Sequence, residues 1–537
     1  MRAPPGCSGA PHDQASRGRG GERTRAGRAA VTGVLTQRDW RTQAYELRDA
    51  RRPTPYLILG TLFWAVVAYR TWQSPLASDF GQHAAAIERI AADWLHPANP
   101  LLDVPGTGSP YFTPYTVVLG LLSKLTGVPG WQLLKGCGPV NLALIVTGIG
   151  AFTRELSRRR WAPVLALAAF VLLWGPQYKE WSGFLGLQSM IRGLTYPSAF
   201  AVGVTFWVWA LTARAARRGV AGTWLHAWLG LLVGTVLLVH PFTAMGTVIG
   251  VLAIVIGMQR MPVAAGVLGR WALTGAVAFA VAAWWPYFSL SSLLGDPTVD
   301  DVHQRLYANL WQWYGLALAG LPALLYRLRV NRFDPLVLMF AADCAVAAYG
   351  WLSGSYSFGR IFGLLLVPLQ FALAIELAEA PPWTGLRRVL APLAAVAACA
   401  GLLAQAGAVV PARYVPPALH LQRLSTWPSY LWAQEHIAAG DVLLTDGYNP
   451  THVMPAYGAF LVSPAWPDPS TTAADRERRE ADVRAYLAPS TPVDQRLDIA
   501  RRYHVKWVMT APGEPAPPGG VQVAQGPRTG ERLYRVG

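Results

Sequence analysis

Charge is scarce in this sequence. Asp, Glu, Lys and Arg make up 14% of its 537 residues, where ordinary globular domains carry about 25%, which argues against a chain built only of soluble domains. Acids are scarcer still, with 30 Asp and Glu against 46 Lys and Arg and a formal net charge of +16. A basic balance invites a nucleic-acid partner. The arginines, however, stand in the N-terminal tail and in short loops between apolar runs, where they set membrane orientation, so no nucleic-acid partner is expected. Cysteine is nearly absent. The four present (Cys7, Cys137, Cys344 and Cys399) show no metal or disulfide spacing. What is abundant is apolar surface, 53% of the residues, in long stretches rather than alternating patterns.

Residues 1–52 are rich in Gly, Arg and small polar residues without apolar periodicity, and read as a disordered basic cytoplasmic tail. A start near Val31 or Val34 is the alternative. The run PYLILGTLFWAVVAYRTW (55–72) has no small-residue cleavage site after it and reads as a retained first helix. Further spanning segments are expected near 131–153, 162–177, 195–213, 224–240, 242–258, 271–288, 308–326, 334–352, 361–377 and 389–409, eleven in all with the first. The segment 113–125 is ambiguous, since an apolar run of about twelve residues rises only ~18 Å as a helix against a ~30 Å hydrocarbon core. Treating it as interfacial places the clusters Arg154 with Arg158 to Arg160, Arg214 with Arg217 and Arg218, Arg260 with Arg270, Arg327 with Arg329 and Arg332, and Arg387 with Arg388 on one side of the membrane. Short cytoplasmic loops favour Lys and Arg, so the N-terminus is expected inside and the C-terminus outside, in a multi-pass protein of a bacterial plasma membrane.

That topology gathers the polar chemistry on the outer face. The first external loop holds Asp79, His83, Glu88, Asp93 and His96, and later loops hold Lys179 in YKEW, Arg192, His240 before Pro241, GDPTVDDVHQR (295–305), and Arg360 at the end of SYSFGR. Asp343 falls inside an apolar helix, where an ionisable group is costly and therefore reads as functional. Residues 53–412 form the transmembrane part, and 413–537 read as a small extracytoplasmic α/β domain. In it a helix at 432–439 precedes strands at 440–446 and 459–464, then two charged helices, a strand at 504–510 and a terminal hairpin. It carries no glycine-rich phosphate loop, nucleophile elbow or metal spacing, so catalysis is not expected there.

With Asp79 in SDFGQH just after the first helix, the interfacial YFTPYTVVLGLLSKLTGVPGWQLLK, and a tail containing LLTDGYNPTHVMPAYGAFLVSP and ARRYHVKWVM, the chain resembles the GT-C superfamily of polyprenyl-phosphate-sugar-dependent membrane glycosyltransferases. The resemblance is architectural and spans residues 55–537. It implies a mainly α fold of about eleven transmembrane helices, a polyprenyl-phosphate sugar donor, and a glycan, lipid or protein acceptor outside the membrane. It also implies an inverting displacement in which Asp79 takes the acceptor proton while a cation stabilises the departing phosphate. Arg360 is the first candidate for that cation, with Arg192, Lys179 and His240 behind it; His83 shares the helical face of Asp79. Many members carry paired acids, whereas Phe80 follows Asp79 here, so no cofactor is assigned and a divalent metal is left open. The plainer roles are an N-cap or first-turn acid for Asp79, snorkelling for Arg360, a helix cap for His240 and a solvated loop for Asp296, Asp300 and Asp301. The competing functions are a transporter or flippase of a lipid-linked precursor, for which no internal repeat is found, and a non-catalytic scaffold.

Overall fold

The computed structural model describes residues 53–104, 108–218, 222–259, 264–290, 297–379, 385–416, 421–466 and 471–537. The tail 1–52, Arg260 and Asp296 lie outside the described residues. Residues 54–537 pack as one compact unit. The chain is a polytopic, mainly helical membrane protein with a small mixed sheet near its C-terminus.

Helix starts follow a repeated local signal, a capping side chain followed by proline. Thr54, Thr113 and Asp334 accept from Leu57, Thr116 and Leu336 backbone N–H groups at the heads of the helices Pro55–Gln73, Pro114–Thr126 and Pro335–Ser353. Proline costs nothing at the first helical position because its missing N–H has no intrahelical partner there.

Seven described helices are long and apolar enough to cross a membrane: Gly130–Leu156, Pro197–Arg217, Pro241–Met258, Ala265–Ala283, Pro335–Ser353, Tyr356–Leu377 and Leu386–Ala408. The other segments expected to span depart from that picture in instructive ways. Pro55–Gln73 is helical over 19 residues and exposes Leu57, Ile58 and Leu62. Ala162–Leu172 and Thr223–Val239 are shorter apolar helices; the first, with 11 residues, rises only ~16 Å. The expected helix at 308–326 is interrupted, running as Leu310–Tyr314, a 3-10 stretch Gly315–Gly320, and Leu321–Val330. The two irregularities complete each other. The Trp174 carbonyl, just past the end of Ala162–Leu172, accepts from Leu316 N at 2.9 Å and Ala317 N at 3.3 Å. Irregular backbone at membrane depth survives only where protein supplies such partners. Gly320 lets the chain pass so close that an added Cβ would stand 2.1 Å from the Leu369 carbonyl oxygen.

The segment read as interfacial is the 13-residue helix Pro114–Thr126. It buries Tyr115, Thr116, Leu119 and Ser123 and exposes Val118, Leu122 and Leu125 on the other side, one apolar stripe at helical spacing.

The sheet has the order β2-β1-β3-β5-β4. Strands β1 (Val442–Leu444), β2 (Phe460–Leu461) and β3 (Val505–Thr510) run parallel, and β5 (Arg532–Arg535) pairs antiparallel with β3 and with β4 (Val521–Gln525) in the expected terminal hairpin. The charged helices Ala473–Leu487 and Val493–Arg502 are present, whereas the helix expected at 432–439 is one turn, Leu431–Gln434. This α/β portion is clamped onto the first loop helix, Phe80–Ala92. Arg89 donates to the Gly458 carbonyl at 2.9 Å and lies 3.7 Å over the Phe460 ring. Leu461 N bonds the Leu101 carbonyl at 2.8 Å, extending the edge of β2 with loop backbone.

Candidate active site

Asp79 stands at the N-cap position of Phe80–Ala92, but its carboxylate accepts nothing from the first turn. The preceding residue, Ser78, has φ +50°, uncommon for a side-chain-bearing residue, and its hydroxyl donates to Glu180 Oε1 at 3.3 Å. The carboxylate of Asp79 therefore faces groups from distant segments. Burial pushes its pKa up; Arg360, then His452 and the Trp466 indole N–H draw it back, and Glu180 adds to the rise. The Trp466 N–H has no partner at ordinary hydrogen-bond geometry, so its influence on Asp79 is one of proximity.

Arg360 closes the other side. It sits in the 3-10 segment Tyr356–Ile361, pinned by Asp300, which accepts from Ser357 N at 2.8 Å; Asp300 is thus a structural acid rather than a solvated one. The guanidinium donates to the Ser182 carbonyl at 2.8 Å, to His240 Nε2 at 2.9 Å and to His303 Nε2 at 3.1 Å, and lies over the Phe242 ring. Of its five N–H groups these contacts leave two, including a buried Nε–H without a partner.

Arg192 is 7% exposed and pairs with Glu180 Oε2 at 2.9 Å, donating also to the Ser425 hydroxyl and carbonyl. It ties the loop carrying Glu180 to the irregular segment that leads into the α/β portion. Lys179 lies with its ammonium 3.9 Å from the Trp313 ring and 5.1 Å from Trp181; burial and then Arg305 lower its pKa. His83 packs between Tyr111 and Tyr196, and burial lowers its pKa to about 3, keeping it neutral. Glu88 accepts from Gly130 N at the head of Gly130–Leu156, and Asp93 accepts from Leu95 and His96 N–H groups; both are spent on backbone. Asp343 lies on the inward stripe of Pro335–Ser353 with Leu336, Met339, Ala347 and Gly350. It is 2% exposed with an unpartnered Oδ1; among the described residues no contact joins it to Asp79 or Arg360.

The structure thus brings Asp79, Arg360 and His240 together, adds Arg192 through Glu180, and sets Lys179 in an aromatic cradle. Groups that sequence reasoning did not single out complete the site: Glu180, Ser182, His303, His452 and Trp466. Glu180 and His303 lie in loops already marked as polar. His452 and Trp466 come from the α/β portion, where no catalytic group was expected and no motif announces them. Among the described residues no three His, Cys, Asp or Glu side chains are arranged to hold a metal ion, and Asp79 and Glu180 each already face an arginine. The described donor set does not fit a metal.

No family model matches the sequence and no curated protein matches it. Solved structures do. The mycobacterial arabinofuranosyltransferase AftD superposes with a TM-score of 0.51 at 16% identity, over 89% of this chain and 40% of that one. A mutant form of AftD gives a TM-score of 0.53. This chain has a GT-C fold. It spans about two fifths of the length of AftD. ArnT from Cupriavidus metallidurans, solved with undecaprenyl phosphate, follows at a TM-score of 0.48 and 14% identity, with 89% of this chain and 97% of that chain covered. The archaeal oligosaccharyltransferase AglB from Archaeoglobus fulgidus follows at 0.45 and 14%, with 84% and 69% covered. At these identities the likeness concerns the fold, and the chemistry must come from the site.

Proposed function

We propose that this chain is an integral membrane glycosyltransferase that moves a sugar from a polyprenyl-phosphate donor to an extracytoplasmic acceptor. The observation that carries the reading is the opposition of Asp79 and Arg360, a desolvated carboxylate beside a guanidinium immobilised by two imidazoles and a carbonyl. In an inverting displacement the acceptor hydroxyl attacks the anomeric carbon, its proton passes to Asp79, and the glycosidic C–O bond breaks to release the polyprenyl phosphate. A carboxylate held above its ordinary pKa is the stronger base. A cation fixed in advance costs no reorganisation as charge develops on the leaving phosphate. Arg360 offers its two remaining N–H groups for that purpose. Arg192 holds the Glu180 loop in place, and Lys179 stands ready as a second cation near Arg305.

An apolar cavity of about 520 Å³ lined by Leu237, Phe279, Trp285 and Phe288 opens at the end of the Thr223–Val239 helix. His240, which holds Arg360, follows that helix directly, and the apolar lining of the cavity suits an isoprenoid tail. The arginine-bearing loops argue for this face being external, with the N-terminus inside. A transporter would call for broken helices lining a polar path; the break at 315–320 is instead closed by the Trp174 carbonyl.

The test is to offer the purified protein a panel of polyprenyl-phosphate sugars and measure released polyprenyl phosphate. Release with at least one donor is expected, and silence across the panel with folded protein would sink the reading.

A further inference from the structure

The α/β portion presents an aromatic surface beside Asp79 that the chemistry above does not use. Trp427 and Tyr448 have ring centroids 5.6 Å apart. His452 lies tilted against Tyr448 with centroids 4.4 Å apart and meets Trp427 at 5.6 Å and Trp466 at 5.8 Å. Tyr448 is 67% exposed, so one large ring faces outward while the others back it.

The surface is anchored to the site by a chain of contacts. Trp427 lies two residues beyond Ser425, which Arg192 grips; Arg192 pairs with Glu180; Ser78, next to Asp79, donates to Glu180. Gly81 permits the close approach from the other direction, since a Cβ there would stand 1.9 Å from the His452 carbonyl oxygen. His452 adds an unmet demand. Its Nδ1 lies 2.6 Å from the Tyr448 carbonyl, which only accepts, so the proton sits on Nδ1 and Nε2 is a lone pair. That Nε2 has no partner, in a residue 6% exposed. A buried acceptor left unpaired is costly, and an incoming donor relieves it.

We propose that Trp427, Tyr448 and His452 form the subsite for a sugar ring of the acceptor, which makes the acceptor a glycan rather than a peptide or a simple lipid. This rests on the glycosyltransferase reading. An aromatic face carries negative charge density and so attracts the polarised C–H bonds on one face of a sugar ring; rings of Trp and Tyr also offer broad contact at little entropic cost. The side follows from the displacement. The leaving phosphate belongs with Arg360, the nucleophile enters from the opposite direction, and His452 is the other group that bears on Asp79 from a separate segment. The acceptor therefore rests on the His452 side, over Tyr448, with one hydroxyl turned to Asp79 and another donating to His452 Nε2.

The experiment uses the full chain in lipid nanodiscs. Short neutral oligosaccharides of differing sugar type are added without donor, and saturation transfer to their ring C–H protons is read by NMR. Saturation of one class is expected, lost in Tyr448→Ala and Trp427→Ala and kept in Tyr448→Phe, which preserves the ring. In turnover, Tyr448→Ala should raise the acceptor KM about 3- to 10-fold with donor KM unchanged. No saturation by any oligosaccharide, binding that survives both alanine variants, or a rise in donor KM instead would each overturn the assignment, the last by giving the rings to the donor sugar. Oligosaccharide binding without turnover of any donor would support the subsite and count against the proposed function instead.

Discussion

Arg360 Nη2 lies 2.9 Å from His240 Nε2, and because a guanidinium only donates, that nitrogen must present a lone pair. On the other edge of the ring, His240 Nδ1 lies 2.7 Å from Thr243 Oγ1 and 3.2 Å from Thr243 N, whose N–H it accepts as the cap of the helix Pro241–Met258. His240 is therefore neutral when it holds Arg360: it orients the cation and adds no charge of its own. Replacing it with Ala should leave a buried N–H unpaired and lower kcat/KM about tenfold, while Gln, whose amide oxygen also accepts, should recover part of the loss. Equal activity in the Ala variant would show that Ser182 and His303 suffice.

Arg360 itself should be less replaceable. Arg360→Ala is expected to lose most turnover. Arg360→Lys should recover little, since one ammonium cannot reach the Ser182 carbonyl, both imidazoles and a phosphate together. Steady-state kinetics with a polyprenyl-phosphate sugar provides the check, and full activity in the Lys variant would reduce the arginine to a generic positive charge.

The pH dependence has a definite sign. Burial raises the pKa of Asp79 and Glu180 raises it further, so the base form is populated only above a pKa higher than 3.8, the ordinary value for Asp. The rate should therefore fall on the acid side through that raised pKa. Glu180→Gln removes a repelling negative charge, lowers the pKa of Asp79 and should move the acid limb of kcat/KM to lower pH. A limb that stays in place or moves upward would separate Glu180 from Asp79.

Gly81 joins the loop helix to the α/β portion. Gly81→Ala places a methyl against the His452 carbonyl, a backbone atom that cannot swing away, at a cost of about 1–3 kcal/mol. A lowered thermal midpoint together with reduced turnover is expected. A variant with wild-type melting and rate would mean that this interface yields freely.

Much of the fold was legible because its signals are local. Thr113-Pro114 and Asp334-Pro335 stand at helix starts, the apolar runs announce spans, and the apolar, β-branched and aromatic run at 505–510 announces a strand. The interrupted segment at 310–330 was not legible, since its break depends on a carbonyl at Trp174, over 130 residues earlier, and on a close pass at Gly320. The site divides in the same way. Asp79 and Arg360 stood out by position at the ends of apolar segments. Glu180, His303 and His452 are single residues whose meaning comes only from what the folded chain sets beside them, and His452 lies more than 370 residues from Asp79.

The central claim is that Asp79 takes the acceptor proton. Asp79→Asn is nearly isosteric, and the carboxylate it replaces makes no cap hydrogen bond to the first turn, so insertion and folding should survive. General-base catalysis contributes ~10²–10⁴-fold. The most direct measurement is polyprenyl phosphate release by wild type and Asp79→Asn, prepared side by side and shown to melt alike. A folded variant slowed ~10²–10⁴-fold is the predicted result; a folded variant that turns over at the wild-type rate would contradict the account.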